Sequence, residues 1–352
     1  MKSLLTISIP TYNRPAYLRV CLEKVAAALK NVKQSDRDLV SVLVSDNSED
    51  CFSREVVHSG EFDDLCINYI KNEENIGSDR NLANCYSIPV SEYVMLVGDD
   101  DFLEEDFFVK VLPILKTKSF DLVFFKNFGL TYDSSEKRPK SSGATVFFNS
   151  AKEVLFDRNI HITFISSTIY KRGLCSQSEI HAGVGTNLVQ VNFAFEILKR
   201  NGKCVYLADN LLASTRNNTG GYDPVDIFLG KFFGLLKNQD DLSLSPDELR
   251  ILKIKILNTF YSRVFAQYIR SSGAPLSLGQ IAVLDASFGD YYLYKYFYKK
   301  LFKQNSKLSF FALSFAYVFG NVIFYPHRSY DFLHHLKNKF YFIFRKIRAA
   351  GF

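Results

Sequence analysis

The chain of 352 residues is 47% hydrophobic and 15% aromatic, enough to build one large domain with an extension, or two domains. A net charge of +6 is too dilute for a dedicated nucleic-acid binder, and no nucleic-acid partner is expected. Six scattered cysteines (Cys21, Cys51, Cys66, Cys85, Cys175, Cys204) form no CxxC pair, and no apolar leader with a basic start precedes Ile7–Pro10, so the expectation is free thiols in a reducing cytosol.

In chain order, "LLTISIP" predicts a first strand and "PAYLRVCLEKVAAAL" a helix with Pro15 in its first turn. "LVSVLVS", "CINYIKN" and "YVMLVG" predict strands two to four, with "SDRNLANCYSI" a short helix before the last of them. Strands alternating with helices imply a parallel sheet covered by helices. "DLVFFKNFGL" and "ATVFFN" read as two further strands, and the charged, Ser-rich "TYDSSEKRPKSSG" between them as an exposed hairpin loop or flap. "ITFISSTIYKR" predicts a strand, "LVQVNFAFEILKRNGK" a helix stopped at Gly202, and "CVYLAD" another strand. The sheet domain is expected to span 1–215. Beyond the loop "RNNTGGYDP", helical periodicity marks 216–352 as an α-helical C-terminal region.

Each of the first four strands runs into a polar cluster: Thr11-Tyr12-Asn13-Arg14, then Asp46-Asn47-Ser48, then Asn75 to Asn81, then Asp99-Asp100-Asp101. Ligands bind outside the carboxyl ends of strands in an open parallel sheet, so the four clusters are expected to meet in one crevice. Three adjacent carboxylates repel one another and raise each other's pKa, which a divalent cation relieves. Mg²⁺ or Mn²⁺ takes one or two carboxylates and completes its shell with phosphate and water. Alternatively the trio caps the helix expected in "FLEEDFFVKVLPIL".

Together, "SIPTYNR", "VSDNSED", "NEENIGSDRN" and "LVGDDDFL" resemble, in order and spacing, the nucleotide-sugar-binding half of family-two glycosyltransferases, closest to the abequosyltransferase-like bacterial branch of O-antigen and capsule assembly. The resemblance implies the α/β GT-A fold, a Rossmann-like, mostly parallel sheet flanked by helices. It also implies a metal-dependent glycosyltransferase that moves a sugar from a nucleotide-sugar donor to an oligosaccharide or lipid-linked glycan acceptor. Carried over, Asp46 bonds the nucleobase, while Pro10, Tyr12, Asn13 and Arg14 flank base and ribose, with Tyr12 stacking. Asp100 sits near the ribose and Asp101 ligates Mn²⁺ or Mg²⁺. Gly98 stands where relatives carry the first acid of D-x-D-D-x-L, which keeps Asp99 beside Asp101 as a candidate ligand. Gly77 and Arg80 join the donor set, Arg80 at a helix N-terminus that favours anions.

An inverting transferase also needs a base for the acceptor hydroxyl. Relatives supply it from a Glu-Asp pair opening the helix before the Gly-containing turn, and here that register holds Gln190-Val191. The candidates nearby are Glu179 and His181, in the Gly-containing "SEIHAGVGTN", ahead of Glu196, which reads as a solvated face residue; Ser166 and Ser167 read as acceptor-side or ordinary strand residues. The missing pair motivates an alternative of another class, a non-catalytic nucleotide-sugar-binding or scaffold protein of a glycan-assembly complex.

"FFALSFAYVFGNVIFYP" is uncharged for 17 residues, the lower bound for a membrane span, and a span is not favoured. From His327 onward six Lys or Arg face one acid, and aromatics are interleaved with them at helical spacing. This predicts an amphipathic helix on the anionic inner face of the cell membrane, or else a packed face in a core or a homo-oligomer. His334-His335, adjacent and so on different helix faces, is not expected to be a metal site.

Overall fold

The computed structural model describes residues 3–130, 138–215, 223, 225–237, 242, 244–266, 276–303 and 307–324. It divides into two compact units, Met1–Ser243 and Leu244–Phe352. The sheet ends at Thr215, and the helical stretch 225–237 groups with the sheet rather than with the second unit. Most of the loop 216–224, the first part of the expected flap and everything from residue 325 on, His334-His335 included, lie outside the described residues.

In the first unit, strands β1 (Leu5–Thr11), β2 (Val40–Asp46), β3 (Ile67–Lys71) and β4 (Tyr93–Leu96) alternate with helices α1 (Pro15–Lys30), α2 (Gln34–Arg37), α3 (Phe52–Val57) and α4 (Ser78–Ser87). These four strands are parallel, in the order β3-β2-β1-β4. Helix α1 turns Leu18, Cys21, Leu22, Val25, Ala28 and Leu29 onto the sheet, the three-and-four spacing of a helix face. β1 and β4 are buried on both faces, which is why they read as near-continuous apolar runs.

The chain then makes β5 (Asp101–Leu103), α5 (Phe107–Lys116), β6 (Leu122–Leu130), β7 (Thr145–Phe148), α6 (Ala151–Arg158), β8 (Thr168–Lys171), α7 (Gln177–Ala182), α8 (Val189–Lys199) and β9 (Cys204–Thr215). The full order is β3-β2-β1-β4-β8-β6-β9-β5, with β7 also on β9. The sheet is mixed, because β8 runs antiparallel to both β4 and β6.

Three sequence expectations are corrected. β6 and β7 are no hairpin: each pairs with β9, in parallel and antiparallel sense respectively. Only Thr168–Lys171 of "ITFISSTIYKR" is strand, and Ile165–Ser167 before it is a 3₁₀ turn. "SEIHA" lies in helix α7, because Ser176 and Glu179 form a reciprocal capping box.

The second unit is helical. Pro246–Ile256 and Leu278–Phe288 each begin with a capping box, Ser245 with Glu248 and Ser277 with Gln280. Its core is aromatic: Tyr261 stacks on Phe265 at 5.5 Å, and Phe265 meets Phe302 at 4.4 Å. Among the described residues no helix is long and apolar enough to cross a membrane.

Candidate active site

Register aligns the strand tips. Thr11 pairs with Asp46 and Asp46 with Lys71, so β1, β2 and β3 end level. The clusters after them are then bonded to one another. The amide of Asn13, at φ 54, donates to Ser48 Oγ at 2.7 Å, and the amide of Asn47 to the Thr11 carbonyl at 2.9 Å. Asn47 Nδ2 donates to the carbonyl of Gly77, the residue preceding α4, whose φ of +84 suits glycine. Across 88 residues, Thr11 Oγ1 donates to Asp99 Oδ2 at 2.9 Å, while Arg14 reaches Asp99 and Asp100, both at 3.3 Å. Thus Thr11–Arg14, Asp46–Ser48, Gly77 and Asp99–Asp101 form one connected assembly at the carboxyl ends of the strands.

The acids are buried, at 5%, 7% and 7% exposure for Asp99, Asp100 and Asp101. They do not cap α5, which starts at Phe107; Asp101 instead opens β5. Burial pushes Asp101 up to about 8, against a bond from Ser166 and with the help of its two acidic neighbours. It pushes Asp99 up to about 6, with Thr11 acting in the opposite sense. Asp100 is raised by the same burial, and Arg14 opposes it. Gly98 lets them pack closely: a Cβ there would lie 3.1 Å from an Asp100 oxygen and 3.2 Å from an Asp101 oxygen, so the two carboxylates would have to shift slightly.

Ser166 was not singled out by its sequence context as a partner of the acids. The Gly98 amide donates to Ser166 Oγ at 2.9 Å, and the Ser166 hydroxyl donates to Asp101 Oδ2. Ser166→Ala leaves a buried N–H without its partner and releases Asp101. The expected result is a loss of about 1–3 kcal/mol in chemical denaturation together with a weaker affinity for divalent cations; an unchanged affinity refutes the orienting role.

Asp46 has no exposed surface, and its two oxygens accept from the Ser48 amide at 2.8 Å and the Tyr69 hydroxyl at 2.7 Å, with Lys71 Nζ at 3.6 Å. As placed it shapes the wall of the site through an Asx turn, and a direct bond to a nucleobase requires Tyr69 and Lys71 to give way. Tyr12, in contrast, is 44% exposed at the rim. Arg80 is exposed in the first turn of α4, whereas its neighbour Asp79 is buried. Asp79 Oδ2 accepts from the amides of Gly185 and Asn187, at 2.7 and 2.8 Å, tying the loop between α7 and α8 to the start of α4.

Beyond that loop, Gln190 and Val191 are buried, and Gln190 Nε2 donates to the Thr163 carbonyl. Glu196 is not a solvated face residue: it is 7% exposed and holds Lys199 and Arg200. Glu179 accepts from the Ser176 amide and from Arg200, which together hold it down at about 2, so as placed its carboxylate is occupied by a helix cap and an ion pair. Glu179→Ala is expected to destabilise by about 1 kcal/mol through the lost cap and to leave turnover within about threefold; a fall of about a hundredfold or more would assign it as the base. His181 is exposed, and its Nδ1 lies 2.8 Å from the Gln177 carbonyl, so Nδ1 donates and Nε2 is left as the acceptor.

The family model "Glycosyl transferase family 2" matches residues 6–178, which run from β1 to α7 and include the tips, the acids and Ser166. This region belongs to glycosyl transferase family 2. Abequosyltransferase RfbV of Salmonella typhimurium is 30% identical over 115 residues, 32% of this chain and 32% of that protein. The chain thus matches about a third of that curated relative's length. Among solved structures, S. aureus TarS 1-349 in complex with UDP superposes with a TM-score of 0.56 at 17% identity, covering 95% of this chain and 92% of that one. The mannosyltransferase PcManGT of Pyrobaculum calidifontis, in complex with GDP-Man and Mn²⁺, superposes at 0.50 with 14% identity, covering 90% and 88%. At those identities the likeness shows the fold, which is the GT-A architecture.

Proposed function

We propose that this glycosyltransferase moves a sugar from a nucleoside-diphosphate donor to a lipid-linked glycan acceptor during bacterial surface polysaccharide synthesis, at the inner face of the cell membrane. The observation that carries the donor reading is the Thr11–Asp99 bond with Arg14 beside it, since it joins the first strand tip to a buried acid trio. Tyr12 at the rim is placed to stack on a base, and Asn13, Pro10 and Gly77 supply backbone around it. Arg80, in the first turn of α4, adds positive charge where a helix already favours anions.

A divalent cation fits the trio on one ground: three buried carboxylates crowd together, and burial raises all three. Among the described residues no group of three or more His, Cys, Asp or Glu side chains is arranged to hold a metal ion, so the cation reading rests on the crowded acids alone. Asp101 and Asp99 would hold Mn²⁺ or Mg²⁺, which when bound neutralises charge developing on the leaving diphosphate. Ser166 and Thr11 orient those two carboxylates. His181 Nε2 is the group proposed to take the acceptor's proton.

A second reading, a nucleotide-sugar-binding scaffold without turnover, is favoured by one observation: Gln190 and Val191 occupy the register where relatives carry their base, and both are buried. Release of nucleoside diphosphate from a panel of nucleotide sugars, with Mn²⁺ and with and without glycan acceptors, separates the two. Acceptor-dependent release supports transfer. Donor binding with no release across the panel supports the scaffold.

A further inference from the structure

Of the chain's 43 Lys or Arg and 37 Asp or Glu, residues 291–352 hold 11 and 1, which leaves 32 basic against 36 acidic residues before them. The protein's net positive charge therefore comes from roughly its last sixth, and the rest is net acidic. Within that stretch two helical surfaces are apolar and open. Helix Lys307–Phe324 packs inward through Ser309, Leu313 and Gly320; Gly320 sits so close to Asn258 that a Cβ would meet its carbonyl oxygen at 2.9 Å. The opposite face presents Phe311, Phe315, Phe319 and Ile323, each one turn beyond the last, at 66%, 69%, 57% and 55% exposure. The Phe315 and Phe319 rings stack on each other at 6.0 Å.

The neighbouring stretch Tyr294–Lys303, with the residues just before it, exposes Tyr292, Leu293, Tyr296 and Phe297 among the lysines Lys295, Lys300 and Lys303. A large exposed apolar stripe marks a contact surface. Aromatics mixed with lysines are what an interface between lipid headgroups and acyl chains selects, since tyrosines and long cationic side chains have an apolar body and a polar tip. The 28 residues after Phe324 continue the pattern in sequence, with six Lys or Arg against Asp331. Charge complementarity therefore favours an anionic bilayer over a second copy of the chain, whose like charges would face one another.

We propose that the Phe311–Phe315–Phe319–Ile323 face, with the tyrosine and lysine surface next to it, docks in the headgroup region of an anionic phospholipid bilayer. The helix lies along the surface, with its stripe in the acyl boundary and the lysines on the phosphates. The docking deepens the proposed function, because it would bring the enzyme to a lipid-linked acceptor, but it does not depend on turnover.

The test floats the full chain on vesicles of phosphatidylglycerol and phosphatidylcholine, and on phosphatidylcholine alone, with light scattering for oligomeric state and nucleoside diphosphate release to a soluble acceptor in parallel. The wild type is expected to float with the anionic vesicles. Phe315→Glu/Phe319→Glu is expected to reduce the bound fraction by at least about tenfold, with an unchanged melting midpoint and unchanged release. Phe315→Ser, a milder change on the same stripe, is expected to give an intermediate loss. Equal flotation of wild type and both variants overturns the proposal, leaving charge alone as the attraction. So does a wild-type dimer that the double variant dissociates without any vesicle binding, which would assign the face to a second copy. Flotation that responds to the variants while no release is seen in any of them would instead remove the transferase reading and leave the docking intact.

Discussion

Replacing Asp101 by alanine abolishes donor turnover, with an expected loss of at least about a thousandfold, while the protein keeps its fold. The large effect follows from position. Asp101 lies 7% exposed at the start of β5, oriented by the hydroxyl of Ser166, which itself holds the Gly98 amide. The tolerance of the fold follows from burial, since the substitution removes a carboxyl whose ionisation is opposed by its burial and by its two acidic neighbours. Loss of turnover accompanied by collapse of the melting transition would make Asp101 a structural residue; unchanged turnover would remove it from the site. Asp46→Ala offers a contrast, because the whole Asx turn and its bonds to Tyr69 go with it, and there stability and activity are expected to fall together.

The metal-free protein is expected to melt lower as pH rises from 6 to 8.5, by at least about 3 °C. Asp101 in the folded state binds its proton up to about 8 and Asp99 up to about 6, against 3.8 for an ordinary aspartate. Folded protein therefore holds protons that the unfolded chain has released, and the slope of unfolding free energy with pH is negative over that interval. The stabilising contribution is full below pH 3.8 and is lost as pH rises through about 6 for Asp99 and about 8 for Asp101. A cation that binds the ionised acids reverses the loss, so Mn²⁺ is expected to raise the midpoint more at pH 8 than at pH 6. Differential scanning calorimetry of wild type and Asp101→Asn checks this: the variant is expected to show a flatter pH slope and little response to Mn²⁺. A wild-type midpoint that climbs from pH 6 to 8.5 would show that the acids are not raised.

The first hundred residues were legible because local signals agree there. Short β-rich runs, a Pro15 helix start and polar tips fix the four parallel strands, and register then brings Thr11, Asp46 and the acids together. Beyond Asp121 pairing partners lie far apart in sequence. β9 takes β6, β7 and β5 as neighbours, and no local pattern in "CVYLAD" announces three of them. Helix α8 misled for a related reason: Glu196 reads as a solvated face residue, yet tertiary packing covers the helix all round, with Gln190 and Asn192 donating to the carbonyls of Thr163 and Glu179 and Glu196 paired with Lys199 and Arg200. Ser166 was read as an acceptor-side or ordinary strand residue, because nothing local shows that its 3₁₀ turn sets the hydroxyl against Asp101. The role of Glu179 was present in the sequence as the S-x-x-E of Ser176–Glu179, a capping box that the nearby glycines made look like a loop.

The tips of β1, β2 and β4, with the segment before α4, are expected to form the donor site around Asp99–Asp101. A crystal of the protein soaked with a nucleoside diphosphate and Mn²⁺ tests it most directly, through the anomalous signal of manganese. The account predicts a manganese peak on the carboxylate of Asp101 or Asp99, with the diphosphate between it and Arg14 and the base against Tyr12. A diphosphate bound elsewhere, for example in the cavity of about 730 Å³ lined by Ser3, Thr6, Lys30, Arg37 and Cys66, with no manganese at the acids, would contradict it.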